Sequence, residues 1–152
     1  SNAAEDVKSL IEDAKIKGAR VELGGDSCDL GDNFINPTIL SNINTSMRVF
    51  NEEIFGPVAP IIKFETENEA IELANQTDFG LAAYFYSRDI GRVYRVSEKL
   101  EFGIIGVNEG IISNEMAPFG GIKESGNGRE GSKYGLDDYL EIKYVCVGGI
   151  NE

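Results

Sequence analysis

The sequence contains no histidine, and this absence excludes several kinds of active site. Histidine is the usual general base beside a serine or cysteine nucleophile and a common ligand of zinc. A chain without it cannot build a Ser-His-Asp triad, a Cys-His dyad or an imidazole zinc site. The two cysteines, Cys28 and Cys146, supply no metal-ligand spacing in its place. We therefore expect no metal site in this chain.

Cysteine is also scarce. Two cysteines in a chain of 152 residues do not make a disulfide framework, so a reducing, cytoplasmic setting is expected. Cys28 lies close to Asp26 and Asp29, whose negative charges disfavour a thiolate, and Cys146 falls on the apolar face of a predicted terminal strand. Neither cysteine is predicted to be a catalytic nucleophile.

Long apolar runs and an excess of basic charge are missing too. No segment approaches the roughly 20 apolar residues that a membrane-spanning helix needs. Fourteen basic and twenty-six acidic residues give a formal charge of -12, which repels nucleic-acid phosphates and anionic lipids. The chain is therefore predicted to bind neither nucleic acid nor membranes, and its scattered acidic residues are interpreted as solubilising.

The hydrophobic patterns predict alternating helices and strands. Helical spacing marks residues 4–17 and 88–100, and a capping box at residues 66–69 predicts a helix that runs to about residue 75. Strand-like runs cover residues 19–23, 34–40, 58–64, 81–86 and 103–107. Because Pro37 cannot donate to a strand ladder, its strand is predicted at a sheet edge. The order of elements indicates an α/β fold, with a parallel sheet and helices packed against its faces.

A glycine-rich stretch at residues 108–129 is predicted to be an ordered loop that helps to form a site. Residues 126–131 match the pattern G-x-G-x-x-G of dinucleotide-binding loops. That pattern has its physical meaning only at a turn from a strand into a helix, and here loop residues precede it. These glycines are interpreted as positions of unusual backbone conformation rather than as a phosphate site.

The C-terminal residues predict a short helix over 129–135 and then a strand over 139–147 with one apolar face. Arg129 and Glu141 flank that helix and are predicted to form an ion pair. Residues 1–3 resemble the scar of a cleaved expression tag and are excluded from fold reasoning. We thus divide the chain into residues 1–3, 4–138 and 139–152.

Two motifs together carry a family resemblance: Glu-Glu-Ile-Phe-Gly-Pro-Val at 52–58 and Pro-Phe-Gly-Gly-Ile-Lys-Glu-Ser-Gly-Asn-Gly-Arg-Glu at 118–130. They resemble the C-terminal third of an aldehyde dehydrogenase. The resemblance implies part of a three-layer, parallel-sheet catalytic domain. It also implies that the family's nucleophilic cysteine, general-base glutamate and dinucleotide-binding domain precede these residues, so the isolated chain is expected to be inactive and to bind no cofactor.

The resemblance assigns roles in cofactor binding to two residues of the first motif. In the family, the second glutamate of this motif accepts hydrogen bonds from the nicotinamide ribose, and the phenylalanine two residues later packs near the nicotinamide. By position these residues are Glu53 and Phe55. Anchoring the ribose restricts the ring, and hydride transfer requires such close positioning. The cofactor is NAD or NADP, and the sequence leaves that choice open.

The segment 107–119 resembles the succinate-semialdehyde dehydrogenases within that family. There, a serine five residues before the Pro-Phe-Gly-Gly turn helps to hold the distal carboxylate of the substrate. By position this residue is Ser113, and Phe119 is expected to form an apolar wall of the same pocket. Glutarate semialdehyde or another carboxylated aldehyde would use the same serine, so the sequence does not decide which of these aldehydes is the substrate.

The same resemblance implies a role in association for the C-terminal strand. An apolar-faced strand at a chain end can pair with another chain. In this family the strand joins an oligomerisation sheet with a neighbouring subunit. A homo-oligomer through residues 139–152 is therefore expected, and association is the alternative function for the isolated chain.

Overall fold

The computed structural model describes residues 3–26 and 28–150. Contacts divide the chain into two compact units, with the boundary between Thr66 and Glu67. Ser1 and Asn2, the first residues of the predicted tag scar, lie outside the described residues, whereas Ala3 begins the first helix.

The first unit contains α1 (Ala3–Ile16), β1 (Arg20–Leu23), β2 (Thr38–Ser41), α2 (Arg48–Asn51) and β3 (Val58–Pro60). The helix α1 confirms the prediction for residues 4–17, and its acidic first turn and basic last turn suit the helix dipole. Strand β2 pairs antiparallel with β1 and parallel with β3, so the sheet order is β1-β2-β3.

An apolar core holds the first unit together. Helix α1 turns one buried stripe toward the sheet because its apolar residues recur at helical spacing. Burial of each large aliphatic side chain contributes about 1.5–3 kcal/mol. The buried members of this core are Val7, Leu10, Ile11, Ala14, Leu40, Ile43, Met47 and Val49.

The predicted edge position of the Pro37 strand is wrong, because β2 lies in the middle of its sheet. Strand β2 begins only at Thr38, whose amide donates to the carbonyl of Pro57 at 2.8 Å. Pro37 therefore stands outside the ladder and costs it no hydrogen bond. The proline that does lie in a strand is Pro60, and its strand, β3, is at the edge.

The second unit contains α3 (Glu67–Asn75), β4 (Phe79–Gly80), β5 (Ala82–Phe85), α4 (Ile90–Lys99), β6 (Ile104–Val107), β7 (Ile122–Lys123) and a 3-10 helix (Tyr134–Tyr139). Strands β5 and β6 are parallel and are joined through α4, whose first turn is capped by Asp89. Strands β4 and β7 are antiparallel. The described strands thus form three small sheets of mixed direction, where the sequence predicted one parallel sheet.

Three predictions for the C-terminal half need correction. The short helix lies at 134–139 rather than 129–135, because residues 129–130 are held by another segment of the loop. The loop 108–129 contains the two-residue strand β7. Residues 140–149 form no strand with any described residue, and their side chains are exposed.

Candidate active site

The segment that follows α2 presents two of the predicted site residues on the surface of the first unit. Glu53 is exposed, and Phe55 is 78% exposed. Ile54 lies between them, is partly buried and packs against the apolar core. Burial therefore alternates across these three residues. The anchoring of Ile54 therefore leaves the carboxylate and the aromatic ring of its two neighbours available to a ligand.

An arginine fixes the start of this segment. Arg48 donates from Nε and Nη2 to the two carboxylate oxygens of Glu52, at 2.6 and 2.9 Å. These bonds hold the pKa of the Glu52 carboxyl below its usual value. The guanidinium also donates to Ser9 on α1, and the backbone amide of Arg48 donates to Asp13. Glu52 is thus occupied within the protein, whereas Glu53 is not paired with any described residue.

A close contact of the backbone fixes the end of the segment. A Cβ atom at Gly56 would lie 2.6 Å from Cγ2 of Val7, so α1 packs directly against this glycine. The next residue, Pro57, accepts the amide of Thr38 and starts the pairing of β3 with β2. Glu53 and Phe55 are therefore carried on a segment that is held at both ends.

The exposed groups of this segment are a carboxylate and an aromatic ring. A carboxylate accepts hydrogen bonds from vicinal hydroxyls, and an exposed aromatic ring two residues away offers an apolar face for a planar ring. Glu53 and Phe55 therefore present a hydrogen-bond acceptor and an apolar face within three residues.

The other two predicted site residues lie in the second unit, on the long connection from β6 to the 3-10 helix. Ser113 is exposed in the segment between β6 and β7. Phe119 is half-buried and forms an antiparallel bridge with Glu130, with backbone hydrogen bonds of 2.9 and 2.7 Å. The structure thus places the site residues in two pairs, one on each unit.

The bridge between Phe119 and Glu130 closes a hairpin whose inside is filled by an arginine. Arg129 donates from Nη1 to the carbonyl oxygens of Gly121 at 2.6 Å and Gly128 at 2.8 Å. A Cβ atom at Gly120 would meet Cδ of Arg129 at 2.9 Å. The predicted ion pair of Arg129 with Glu141 is wrong, because backbone carbonyls occupy this guanidinium.

A cleft of about 510 Å³ lies beside this hairpin. Its wall combines the ring of Phe119, the glycine backbone of the motif and polar groups of Arg129 and Asp138. The backbone amide of Arg129 donates to Asp138 on the 3-10 helix at 3.2 Å. The motif therefore forms a shaped, mixed apolar and polar surface, although Ser113 is not part of this wall.

Side chains that the sequence did not single out hold the motif in place. Ser125 accepts the amide of Gly80 through Oγ at 3.0 Å. Lys123 reaches the carbonyls of Asn75 and Thr77 and pairs with Glu101 at 2.7 Å. The motif itself contained these residues, but their partners lie more than 20 residues away in the chain. Spacing alone gives no signal for such contacts.

The G-x-G-x-x-G stretch is not a dinucleotide loop in this structure. Gly126 and Gly131 adopt φ values of 101° and 65°, which favour glycine. The residues between them join the bridge to Phe119, and no α-helix follows among residues 132–150. A phosphate-binding fingerprint needs a helix N-terminus at this point, so the structure agrees with the interpretation as backbone positions.

In residues 3–26 and 28–150 no cluster of three or more acidic or cysteine side chains could hold a metal ion, and both cysteines are free. No helix in the same residues is long and apolar enough to cross a membrane.

A profile of the aldehyde dehydrogenase family matches residues 1–145. The chain is 59% identical over 150 residues to 3-sulfolactaldehyde dehydrogenase of Pseudomonas putida, covering 99% of this chain and 31% of the relative. It is also 59% identical over 146 residues to the NADP(+) succinate-semialdehyde dehydrogenase of Escherichia coli K12, covering 96% of this chain and 30% of that protein.

The fold agrees with the sequence comparison. The crystal structure of succinate-semialdehyde dehydrogenase from Burkholderia pseudomallei superposes with a TM-score of 0.91 at 56% identity, covering 97% of this chain and 30% of that one. The chain belongs to the aldehyde dehydrogenase family. It spans about 30% of the length of these relatives.

Proposed function

We propose that this chain supplies the nicotinamide-ribose contact and the substrate-anion contact in an NAD(P)-dependent aldehyde dehydrogenase. The observation that carries the proposal is the exposed pair Glu53 and Phe55 on either side of the core-anchored Ile54. Glu53 accepts hydrogen bonds from the ribose hydroxyls, and Phe55 limits the movement of the nicotinamide. The nucleophilic cysteine and the general base of the reaction are supplied by residues outside this chain.

The proposed substrate is an aldehyde with an anionic group at its far end, and succinate semialdehyde, oxidised to succinate, is the first choice. Two relatives support this class, since one is named for succinate semialdehyde and the other for 3-sulfolactaldehyde. Ser113 donates its hydroxyl to the distal anion, and Phe119 forms an apolar wall. Glutarate semialdehyde satisfies the same contacts and remains the alternative.

The test of this role compares two aldehydes in a full-length enzyme that contains this sequence. Ser113→Ala removes one charge-assisted hydrogen bond, so kcat/KM for succinate semialdehyde should fall about tenfold or more. Butanal has four carbons and no anion, and its kcat/KM should change about twofold or less. Ser97→Ala on α4, a serine outside this connection, is the control. Equal losses for both aldehydes in Ser113→Ala would contradict the substrate role.

The isolated chain is proposed to be inactive, because the reaction also needs the cysteine, the base and the domain that binds the rest of the dinucleotide. Steady NAD(P)-dependent oxidation of succinate semialdehyde by the purified 152-residue chain would refute this. Its free cysteines suit a reducing compartment such as the cytosol, which we propose as its location.

Residues 139–152 carry a second proposed function, which is association with another copy of the chain. Ile142 is fully exposed and Tyr144 is 86% exposed, so this apolar segment has no cover within the described residues. We propose that it pairs as a strand with a neighbouring subunit, and that β5 and β6 belong to the parallel sheet of a three-layer catalytic domain. Light scattering before and after deletion of residues 139–152 tests the association, and an unchanged mass would count against it.

A further inference from the structure

Ser113 depends on its surroundings for its position. Its hydroxyl has no hydrogen-bond partner among the residues that the structure describes. Serine has a short side chain, so the backbone of the segment between β6 and β7 decides where the hydroxyl lies. The position of Ser113 therefore depends on the contacts that hold the segment between β6 and β7.

An asparagine clamps the beginning of the segment. Oδ1 of Asn108 accepts the amide of Ser87 at 2.8 Å, and Nδ2 donates to the carbonyl of the same residue at 2.7 Å. The backbone amide of Asn108 also donates to Phe85 at the end of β5. Asn108 has a φ of 56°, in the left-handed region that asparagine tolerates better than most residues. One side chain thus satisfies both backbone groups of Ser87 and turns the chain as it leaves β6.

The clamp is continuous with a helix. Oγ of Ser87 accepts the amide of Asp89 at 3.1 Å. The carboxylate of Asp89 in turn accepts the amide of Arg92 at 3.0 Å and caps α4. Asn108 is therefore fixed to a regular element of the second unit rather than to another loop.

The end of the segment is held by a separate set of bonds. Oδ1 of Asn114 accepts the amide of Met116 at 2.8 Å, and the carbonyl of Glu115 accepts the amide of Ser132 at 2.9 Å. A turn held at this end alone can pivot about its attachment. Two separate attachments are needed to fix both the position and the direction of Ser113.

We propose that Asn108 is a positioning residue for substrate specificity, which acts by setting the path of residues 109–113 and so the place of the Ser113 hydroxyl. This inference rests on the proposed function of Ser113. Asn108 itself touches neither the substrate nor the cofactor in this proposal. Its removal should weaken the binding of an anionic aldehyde, while the chemical step proceeds at its normal rate.

Two variants separate the hydrogen bonds from the backbone conformation. Asn108→Gly keeps easy access to positive φ and removes both bonds to Ser87. Asn108→Asp keeps an acceptor for the amide and removes the donor to the carbonyl. In a full-length enzyme that contains this sequence, Asn108→Gly should raise KM for succinate semialdehyde about fivefold with kcat nearly unchanged, and Asn108→Asp should raise it less. The KM for butanal should change about twofold or less in both.

A double-mutant cycle with Ser113→Ala decides whether Asn108 acts through the serine. If it does, Asn108→Gly has no further effect on the KM ratio of the two aldehydes once Ser113 is alanine. Additive effects, or equal effects of Asn108→Gly on both aldehydes, would overturn the inference and leave the proposed function intact. If Ser113→Ala affects both aldehydes equally, the proposed substrate role and this inference both fail.

Amide hydrogen exchange of the 152-residue chain checks that the fold survives. Asn108→Gly should speed exchange at Ser87, whereas Arg92, whose amide bonds the helix cap, should keep its protection. Unchanged exchange at Ser87 would show that the clamp is absent in solution and would overturn the inference. If Asn108→Gly abolishes the protection of α4 from hydrogen exchange, the Asn108→Asp variant replaces it, and the inference is tested by comparing the KM values of that variant for the two aldehydes.

Discussion

The two units of this chain hold their site residues by different physical means. In the first unit, eight apolar residues form one buried core, and Ile54 ties the Glu53 and Phe55 segment to it. In the second unit, Ile71 and Val96 are the buried large apolar side chains among the described residues. The motif loop there is held by hydrogen bonds from Arg129, Ser125 and other polar side chains.

This difference bears on what each pair of residues can do. Apolar packing resists any change of volume, so it gives Glu53 and Phe55 a fixed platform. Hydrogen bonds to backbone carbonyls specify a loop geometry residue by residue, and each bond contributes a modest net free energy of about 0.5–1.5 kcal/mol. We therefore expect large mutational effects on stability in the first unit and smaller, more local effects in the second.

The largest effect is expected from Leu40→Ala. Leu40 is completely buried in the core of the first unit, so the cavity should cost about 2–5 kcal/mol. Leu30→Ala is the matched control, because Leu30 is 74% exposed in the same unit. The loss of stability in each variant is measured by hydrogen exchange, which is followed separately over residues 3–66 and 67–150. Similar losses for the two variants would contradict the core described for this unit.

A smaller effect is expected from Gly103→Ala in the second unit. A Cβ atom there would overlap the carbonyl oxygen of Gly120, where β6 meets the motif loop. Overpacking of this kind costs about 1–3 kcal/mol. Gly110→Ala is the control, since a Cβ atom at Gly110 meets nothing within 4 Å. The midpoint of thermal unfolding distinguishes them, and an unchanged midpoint for Gly103→Ala would argue against close packing of this loop.

The smallest effect concerns an exposed ion-pair cluster. Arg95 and Arg92 donate hydrogen bonds to Glu67 and lower the pKa of its carboxyl from 4.5 to about 2. Because the folded pKa is depressed, the cluster stabilises the unit above pH 4.5, and this contribution is lost as the pH falls toward 2. Glu67→Gln should thus lower the unfolding midpoint slightly at pH 6 and leave it unchanged near pH 2.

The control for this experiment is Glu98→Gln on α4, an exposed carboxylate that pairs with no described residue. The midpoint of thermal unfolding of Glu98→Gln should equal that of the unmodified chain at every pH. If Glu67→Gln destabilised the chain equally at both ends of the pH range, its effect would be steric rather than electrostatic.

Local patterns predicted much of the fold. Helix α1 appears where its apolar spacing predicted it, and α4 and β6 do so as well. Prediction failed where the partner of a segment mattered. Pro37 was assigned to an edge strand, because the sequence does not show that β2 begins one residue later. Residues 140–149 have strand spacing, but a strand also needs hydrogen bonds to a neighbouring strand, and these residues pair with no described strand.

For the candidate site, too, prediction failed where a residue depends on a partner far away in the chain. Motif resemblance selected Glu53 and Phe55, and the structure finds both exposed on an anchored segment. The motif resemblance did not select Asn108, whose proposed role depends on Ser87, a partner 21 residues earlier in the chain. Arg129 was assigned to the wrong partner, because charge suggested Glu141 while geometry offers the guanidinium three carbonyl oxygens.

The most direct test of the central claim is the affinity of a full-length enzyme containing this sequence for its dinucleotide after Glu53→Gln. Loss of a charge-assisted acceptor for the ribose hydroxyls should raise the dissociation constant about tenfold, as measured by titration calorimetry. Glu5→Gln, which changes an exposed carboxylate on α1 of the same unit, should leave it unchanged. A dissociation constant unchanged by Glu53→Gln would contradict the assignment of this segment to the cofactor.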